Sequence, residues 1–257
     1  MSKLRLTSGA SGPAFRLGSG FPAFRLNGPG AGPSMRDTYL TVEAIEATTV
    51  KFWTGDDSDS ETRTVEVSTD DGQTWTSKTS SYAGTVLAEL AAGEKVLLRG
   101  EEENYGSDEN NDDMPYGCVV LDGGDAYLYG NIMSMAYGAD FADKTAIVND
   151  DQFCYLFGEG VAADMKFDDH QGHLRNKQGA RLLLPATTLA QYCYNYMFSG
   201  CTNLVEVTIY ATYLNVTDPL HNWLANVAAS GTFRAVENVP YPAGASGIPN
   251  GWTRVGF

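Results

Sequence analysis

At 257 residues and 27.7 kDa the chain suits one large domain, or two small ones plus a tail, and it can bury a core of its own. Hydrophobic residues at 43% and charged residues at 19% exclude wholesale disorder, and no apolar run approaches the roughly 18 residues of a transmembrane helix. Four cysteines without a CxxC pair exclude a disulfide scaffold, a zinc ribbon and thioredoxin-like chemistry.

The net charge of −15 is unevenly spread. Residues 1–36 carry Lys3, Arg5, Arg16, Arg25 and Arg36 with no acid, a balance of +5, while the remainder carries 12 basic and 32 acidic side chains, a balance of −20. A body of that sign repels nucleic acid, because a duplex partner is held largely through phosphate neutralisation. Five charges scattered among glycines and phenylalanines make a poor nucleic-acid footprint. The opening MSKLRLTSGASG lacks an apolar stretch, so no secretory leader is expected.

Residues 1–35 are rich in Gly, Ser, Ala and Pro and contain a repeat. Pro13-Ala14-Phe15-Arg16-Leu17-Gly18 recurs nine residues later as Pro22-Ala23-Phe24-Arg25-Leu26-Asn27, and Leu4-Arg5-Leu6 is a weaker copy of its core. In an extended chain Phe15 and Leu17 share one face and Arg16 takes the other, as do Phe24, Leu26 and Arg25. Two readings follow: a plain linker, or an arm that anchors on a partner and adds short strands to it. Regularly placed aromatics favour the anchor, with Arg5, Phe15, Arg16, Leu17, Phe24, Arg25 and Leu26 as its contact residues. GPGAGPS over 28–34 reads as a hinge.

Residues 36–131 have the texture of an antiparallel β-sandwich. Strands are expected over 39–45, 50–53, 62–67, 95–99, 117–121 and 126–129, from alternation and β-branched content between Gly/Asp/Ser turns. Ser68-Thr69-Asp70-Asp71-Gly72-Gln73-Thr74-Trp75 matches the SxDxGxTW pattern of an Asp box, read here as a hairpin turn over a packed Trp and not as an active site. The acidic loops 56–61 and 107–113 have the oxygen density that Ca²⁺ favours. The second departs from an EF-hand at Asp113 and Val119, and both read as solvated loops.

Further on, Leu184-Pro185-Ala186-Thr187-Thr188-Leu189-Ala190 and Cys193-Tyr194-Asn195-Tyr196-Met197-Phe198-Ser199-Gly200-Cys201-Thr202-Asn203-Leu204 resemble BspA-like leucine-rich repeats, common in surface proteins of Bacteroidales. Phe153-Cys154-Tyr155-Leu156-Phe157-Gly158 lies 41 residues upstream of 194–199, and Asn222-Trp223-Leu224 lies 27 downstream of 195–197. Tyr129-Gly130-Asn131-Ile132-Met133-Ser134-Met135 and the closing GTFRA and YPAGASGIPNGWT strings extend the resemblance, which covers about 38–257. Each unit is expected to be a short helix, over 193–198 in the best copy, followed by a strand over 204–209. Leu182, Leu189 and Leu204 should turn inward. Cys193 and Cys201 read as buried repeat positions.

The expected fold is therefore mostly β with a short α/β repeat. An extended arm (1–35) precedes a β-sandwich (36–131), and a short leucine-rich-repeat-like solenoid with a C-terminal cap follows (132–257). His170-Gln171-Gly172-His173 lacks the helical spacing of zinc enzymes, and no catalytic motif, metal site or cofactor fingerprint is found. The resemblance implies cell-surface adhesion. Joined to an anchor arm and no expected leader, it points to a virion structural protein of a Bacteroidales (crAss-like) phage: a head fibre, capsid-decoration or tail component. Its expected partners are capsid or tail proteins at the arm and a host surface glycan or protein at the repeat. A homo-oligomer, possible as a trimer, is expected, without membrane insertion. The alternative is an exported bacterial surface adhesin or glycan-binding module.

Overall fold

In the first half of the protein, strand formation follows side-chain alternation. The computed structural model describes residues 35–106, 115–158 and 170–257. The strands are β1 (Leu40–Ala44), β2 (Thr48–Trp53), β3 (Thr64–Ser68), β4 (Thr76–Thr79), β5 (Thr85–Leu90), β6 (Lys95–Arg99), β7 (Cys118–Gly123) and β8 (Ala126–Asn131). Leu40, Val42 and Ala44 of β1 and Val96 and Leu98 of β6 point into the core, while Glu43 and Lys95 face outward. The six expected strands are present within a few residues of their expected ends. β4 and β5 were not expected, for different reasons. β4 reads TSKT and is largely exposed. A register shift at Val50/Lys51 puts Ala88 opposite Val50 and Val86 opposite Lys51, so Leu87 and Ala88 are both buried and alternation is lost.

Strands β5-β2-β7 form a small antiparallel sheet. The second half of the chain adds β9 (Leu174–Arg175), β10 (Leu182–Leu184), β11 (Glu206–Ile209), β12 (Gly231–Ala235) and β13 (Trp252–Gly256). These join the first half in one ten-stranded mixed sheet of order β13-β12-β11-β10-β8-β1-β6-β3-β4, with β9 also on β8. β8 pairs antiparallel with β1 on one edge and parallel with β9 and β10 on the other. The sheet therefore runs without a break across the boundary expected at residue 131/132, and Pro33–Phe257 is one compact unit. The protein is mostly β. Among the described residues its only α-helix is α1 (Ser134–Tyr137), whose Ser134 hydroxyl accepts from Leu40 N and donates to Leu98 O.

The crossing at β8 depends on two residues. Gly130 has φ +100°, and a Cβ there would overlap the Tyr39 carbonyl oxygen. Asn131 is fully buried. Its Nδ2 donates to Arg36 O at 2.9 Å and its Oδ1 accepts from Met133 N at 3.0 Å.

The helix expected over 193–198 is not formed. Segments 151–158, 191–200 and 218–226 are runs of turns and bends, with positive φ at every fourth residue: Asp151 and Tyr155; Tyr192, Tyr196 and Gly200; Asp218, Asn222 and Asn226. Alternate amides close turns three residues long, as Asn195 N to Tyr192 O (2.9 Å) and Met197 N to Tyr194 O (3.1 Å). The other amides reach the neighbouring segment: Phe153 N to Cys193 O, Phe157 N to Met197 O, Tyr194 N to Pro219 O and Phe198 N to Trp223 O, at 2.8–3.1 Å. An α-helix turns its amides, beyond the first turn, along its own axis to the carbonyl four residues back, and so offers no regular sideways ladder to a neighbour. The aromatic rings stack accordingly. Phe153 lies over Tyr194, Tyr155 over Tyr196 and Phe157 over Phe198, with centroids 5.8, 5.0 and 5.7 Å apart and planes within 15°. The 41-residue offset read in the sequence is the spacing of these pairs.

Leu182, Leu189 and Leu204 are buried, as expected, with Val207, Ile209 and Phe233. All four cysteines are buried, and burial pushes the thiols of Cys118 and Cys193 well above their ordinary range.

Replacing Gly130 by Ala is expected to destabilise the protein by about 3 kcal/mol or more, through overlap and left-handed strain together. The buried Tyr194 hydroxyl has no hydrogen-bond partner among the described residues. Tyr194→Phe should therefore change stability by less than about 1 kcal/mol or increase it, because no hydrogen bond is lost. Urea denaturation of the two variants checks both.

Candidate functional site

An open groove of about 960 Å³ lies across the first residues of β11, β12 and β13. Its floor follows from register. Glu206, Thr232 and Thr253 are successive partners in the parallel ladder and stand in one row on the outer, polar face, with Arg234 two residues beyond Thr232. One wall is the turn 176–181, closed by Ala180 N donating to Lys177 O, where Gly179 has φ +82°. Asn176 fastens this wall to the sheet. Its Oδ1 accepts from Val205 N and Glu206 N at 2.7 and 2.8 Å, and its Nδ2 donates to Glu206 O at 2.8 Å. The far wall needs Gly231, where a Cβ would come within 2.6 Å of both the Trp252 ring and Val205 O.

The groove's charge is opposite to that of the body. Lys177, Arg181 and Arg234 line it against one acid, Glu206. Glu206 Oε1 lies 3.2 Å from Arg234 Nε and 3.6 Å from Arg181 Nε, so one carboxylate is shared by two guanidiniums. Despite that distance, Arg234 Nε is buried without a well-aligned hydrogen bond. Lys177 turns away to Glu43, which also accepts from the Tyr129 hydroxyl at 2.7 Å. Burial opposes ionisation of Glu43, but the Lys177 and Tyr129 hydrogen bonds together hold its carboxyl below the ordinary value. Next along the face, Asp125 accepts from Arg175 Nε at 2.6 Å and faces His173 Nδ1 at 3.0 Å. It is likewise held below its ordinary value, against the opposing effect of burial.

The residues singled out in the sequence fall elsewhere. Arg5, Phe15, Arg16, Leu17, Phe24, Arg25 and Leu26 lie outside the described residues, as do the 107–113 loop and the side chain of His170. In the 56–61 loop, Asp56 turns its oxygens inward to accept from the backbone and hydroxyls of Ser58 and Ser60 and from Glu61 N. These bonds, led by the two serine hydroxyls, hold its carboxyl far below the ordinary range. No group of three or more His, Cys, Asp or Glu side chains is placed to hold a metal among the described residues.

The Asp box joins β3 to β4. Asp70 accepts from the Thr74 hydroxyl at 2.6 Å, from Thr74 N at 2.9 Å and from the Ser68 hydroxyl at 2.7 Å. Gly72 has φ +84°, and its carbonyl accepts from Trp75 Nε1 at 3.1 Å. Trp75 in turn carries the Arg99 guanidinium, 4.0 Å from its ring centre. The Thr74 hydroxyl, then its amide and the Ser68 hydroxyl, lower the Asp70 pKa from 3.8 to about 2. A depressed folded value means that the turn's contribution is complete above the ordinary carboxylate range and is lost as pH falls through about 2. An NMR titration of the Asp70 carboxyl is expected to give its midpoint near 2, and a midpoint at 3.8 would show that the turn's bonds do not persist in solution.

Compared with known proteins, the chain matches no family model, no curated protein and no solved structure.

Proposed function

We propose that the chain is a non-enzymatic structural protein of a bacteriophage particle, a head fibre, capsid-decoration or tail component. It docks through its N-terminal arm and presents the β body, with the groove as its binding face. The body is read as an antiparallel β-sandwich extended by a short leucine-rich-repeat-like solenoid. The steps from Leu183 to Thr208, Val207 to Phe233 and Phe233 to Arg254 support this, being parallel register pairs 25, 26 and 21 residues apart.

The observation that carries the proposal is the partition of the chain. A repeated Phe-Arg-Leu strip holding only basic charges precedes a compact, strongly acidic unit. Such a strip is chemically suited to an acidic protein surface, adding short strands through its backbone and seating Phe15, Leu17, Phe24 and Leu26. Assembly as a homo-oligomer would multiply these contacts. The exported adhesin or glycan-binding module is the second reading, favoured by the hydroxyl groups that Ser230, Thr232 and Thr253 bring to the groove. Neither reading calls for a membrane span, and no helix among the described residues is long and apolar enough to form one.

Co-sedimentation with purified phage capsids tests the arm. Full-length protein should associate, whereas a chain lacking residues 1–34 and the full-length double variant Phe15→Ser/Phe24→Ser should not. Equal association of all three would make the arm a linker and overturn the anchored reading.

A further inference from the structure

We infer that the groove across β11–β13 binds a carboxylate-bearing saccharide, with Arg181 and Arg234 as the residues that recognise its acid group. This rests on the reading of the groove as the body's binding face, and not on the arm or on a virion location. Three features carry it.

The first is charge. With Lys177 paired to Glu43, Arg181 and Arg234 against the single Glu206 leave one net positive charge in the groove of a body that is otherwise strongly acidic. A uniformly acidic surface would repel an anion, and this groove is where the local balance reverses.

The second is unused donor capacity. Each guanidinium carries five N–H groups in a planar fork suited to a carboxylate. Arg181 and Arg234 meet Glu206 through Nε, and among the described residues their terminal nitrogens make no hydrogen bond. Arg181 is 55% exposed and Arg234 27%, so both are reachable from the groove. Glu206 holds the two heads near one another, which leaves a pre-formed pair with one net positive charge. A second carboxylate would complete it.

The third is the rest of the lining. Ser230, Thr232, Thr253 and Gln178 offer hydroxyl and amide groups at the scale of sugar hydroxyls. The backbone beneath is paired on both sides of β11 and β12, and only β13 ends the sheet, so a peptide laid across the groove meets already paired backbone at two of its three strands. Its exposed apolar side chains are too few to seat alternate peptide side chains. An acidic sugar brings several hydroxyls to this lining beside its acid group, whereas a peptide offers it one amide donor and one carbonyl acceptor per residue.

Calorimetric titration of the full-length protein at low salt tests this with three probes: trigalacturonate, its methyl ester and a tetraglutamate peptide. Trigalacturonate is expected to bind, with the methyl ester and the peptide weaker by about tenfold or more. Arg181→Gln, at an exposed position, should weaken trigalacturonate by about tenfold with an unchanged melting temperature, and Arg234→Gln similarly. Thr253→Trp, which fills the groove, should abolish binding. The inference is overturned if the methyl ester binds as tightly as the acid, if Arg181→Gln binds like the parent, or if the peptide outcompetes the sugar. Neutral-sugar binding that Thr253→Trp blocks would overturn the acid specificity and leave the groove as the binding face. Failure of every probe to bind would overturn both.

Discussion

The two-sided pairing of β8 is the constraint on which the structure depends. One edge of this strand completes the antiparallel half of the sheet and the other starts the parallel half. At the end of this strand the backbone of Tyr39 and Leu40 passes too close for any side chain. Gly130 meets that demand by having no side chain, and Asn131 ties the passing 35–38 segment and the start of the following turn to the strand. Core residues from both sheets and from the turn segments consequently merge into one cluster.

Opposite the parallel strands, the turn segments close the core without helices. Dividing the amides between local turns and neighbouring segments gives each layer a ladder of lateral hydrogen bonds, which isolated helices lack. That division requires left-handed backbone at non-glycine residues such as Tyr155, Tyr192 and Tyr196, a conformation that costs of order 1–2 kcal/mol at each. Lateral bonds and stacked rings stabilise the layers against it. Aromatics at every second position, from Phe153 to Phe157 and from Tyr194 to Phe198, all buried except the partly exposed Tyr196, therefore belong to the same device as the positive φ angles.

The outer face of the continuous sheet is where charge is organised. Glu43, Asp125 and Glu206 each sit against basic partners contributed by the segment 173–181 or by β12. These half-exposed pairs add little stability individually. Their larger consequence is positional, since they hold the basic side chains in fixed places on a body whose net charge would otherwise repel anions. The groove collects the least neutralised of them.

Sequence alone determined six of the eight strands of the first half, the Asp-box turn, the inward leucines, the burial of Cys193 and Cys201 and the 41-residue aromatic offset. Each of these is a local pattern: alternation, a turn signature, or the same residues recurring at a fixed step. The turn ribbon was misread as helix because apolar spacing over 193–198 suits either, and only the neighbouring segments decide where the amides donate. The joining of both halves into one sheet was equally hidden, as it rests on Leu182 reaching Gly130 across 52 residues. The groove had no local signature at all. Asn176, Arg181, Glu206 and Arg234 are ordinary polar residues in the chain, and parallel register, which no short window of sequence carries, makes them neighbours.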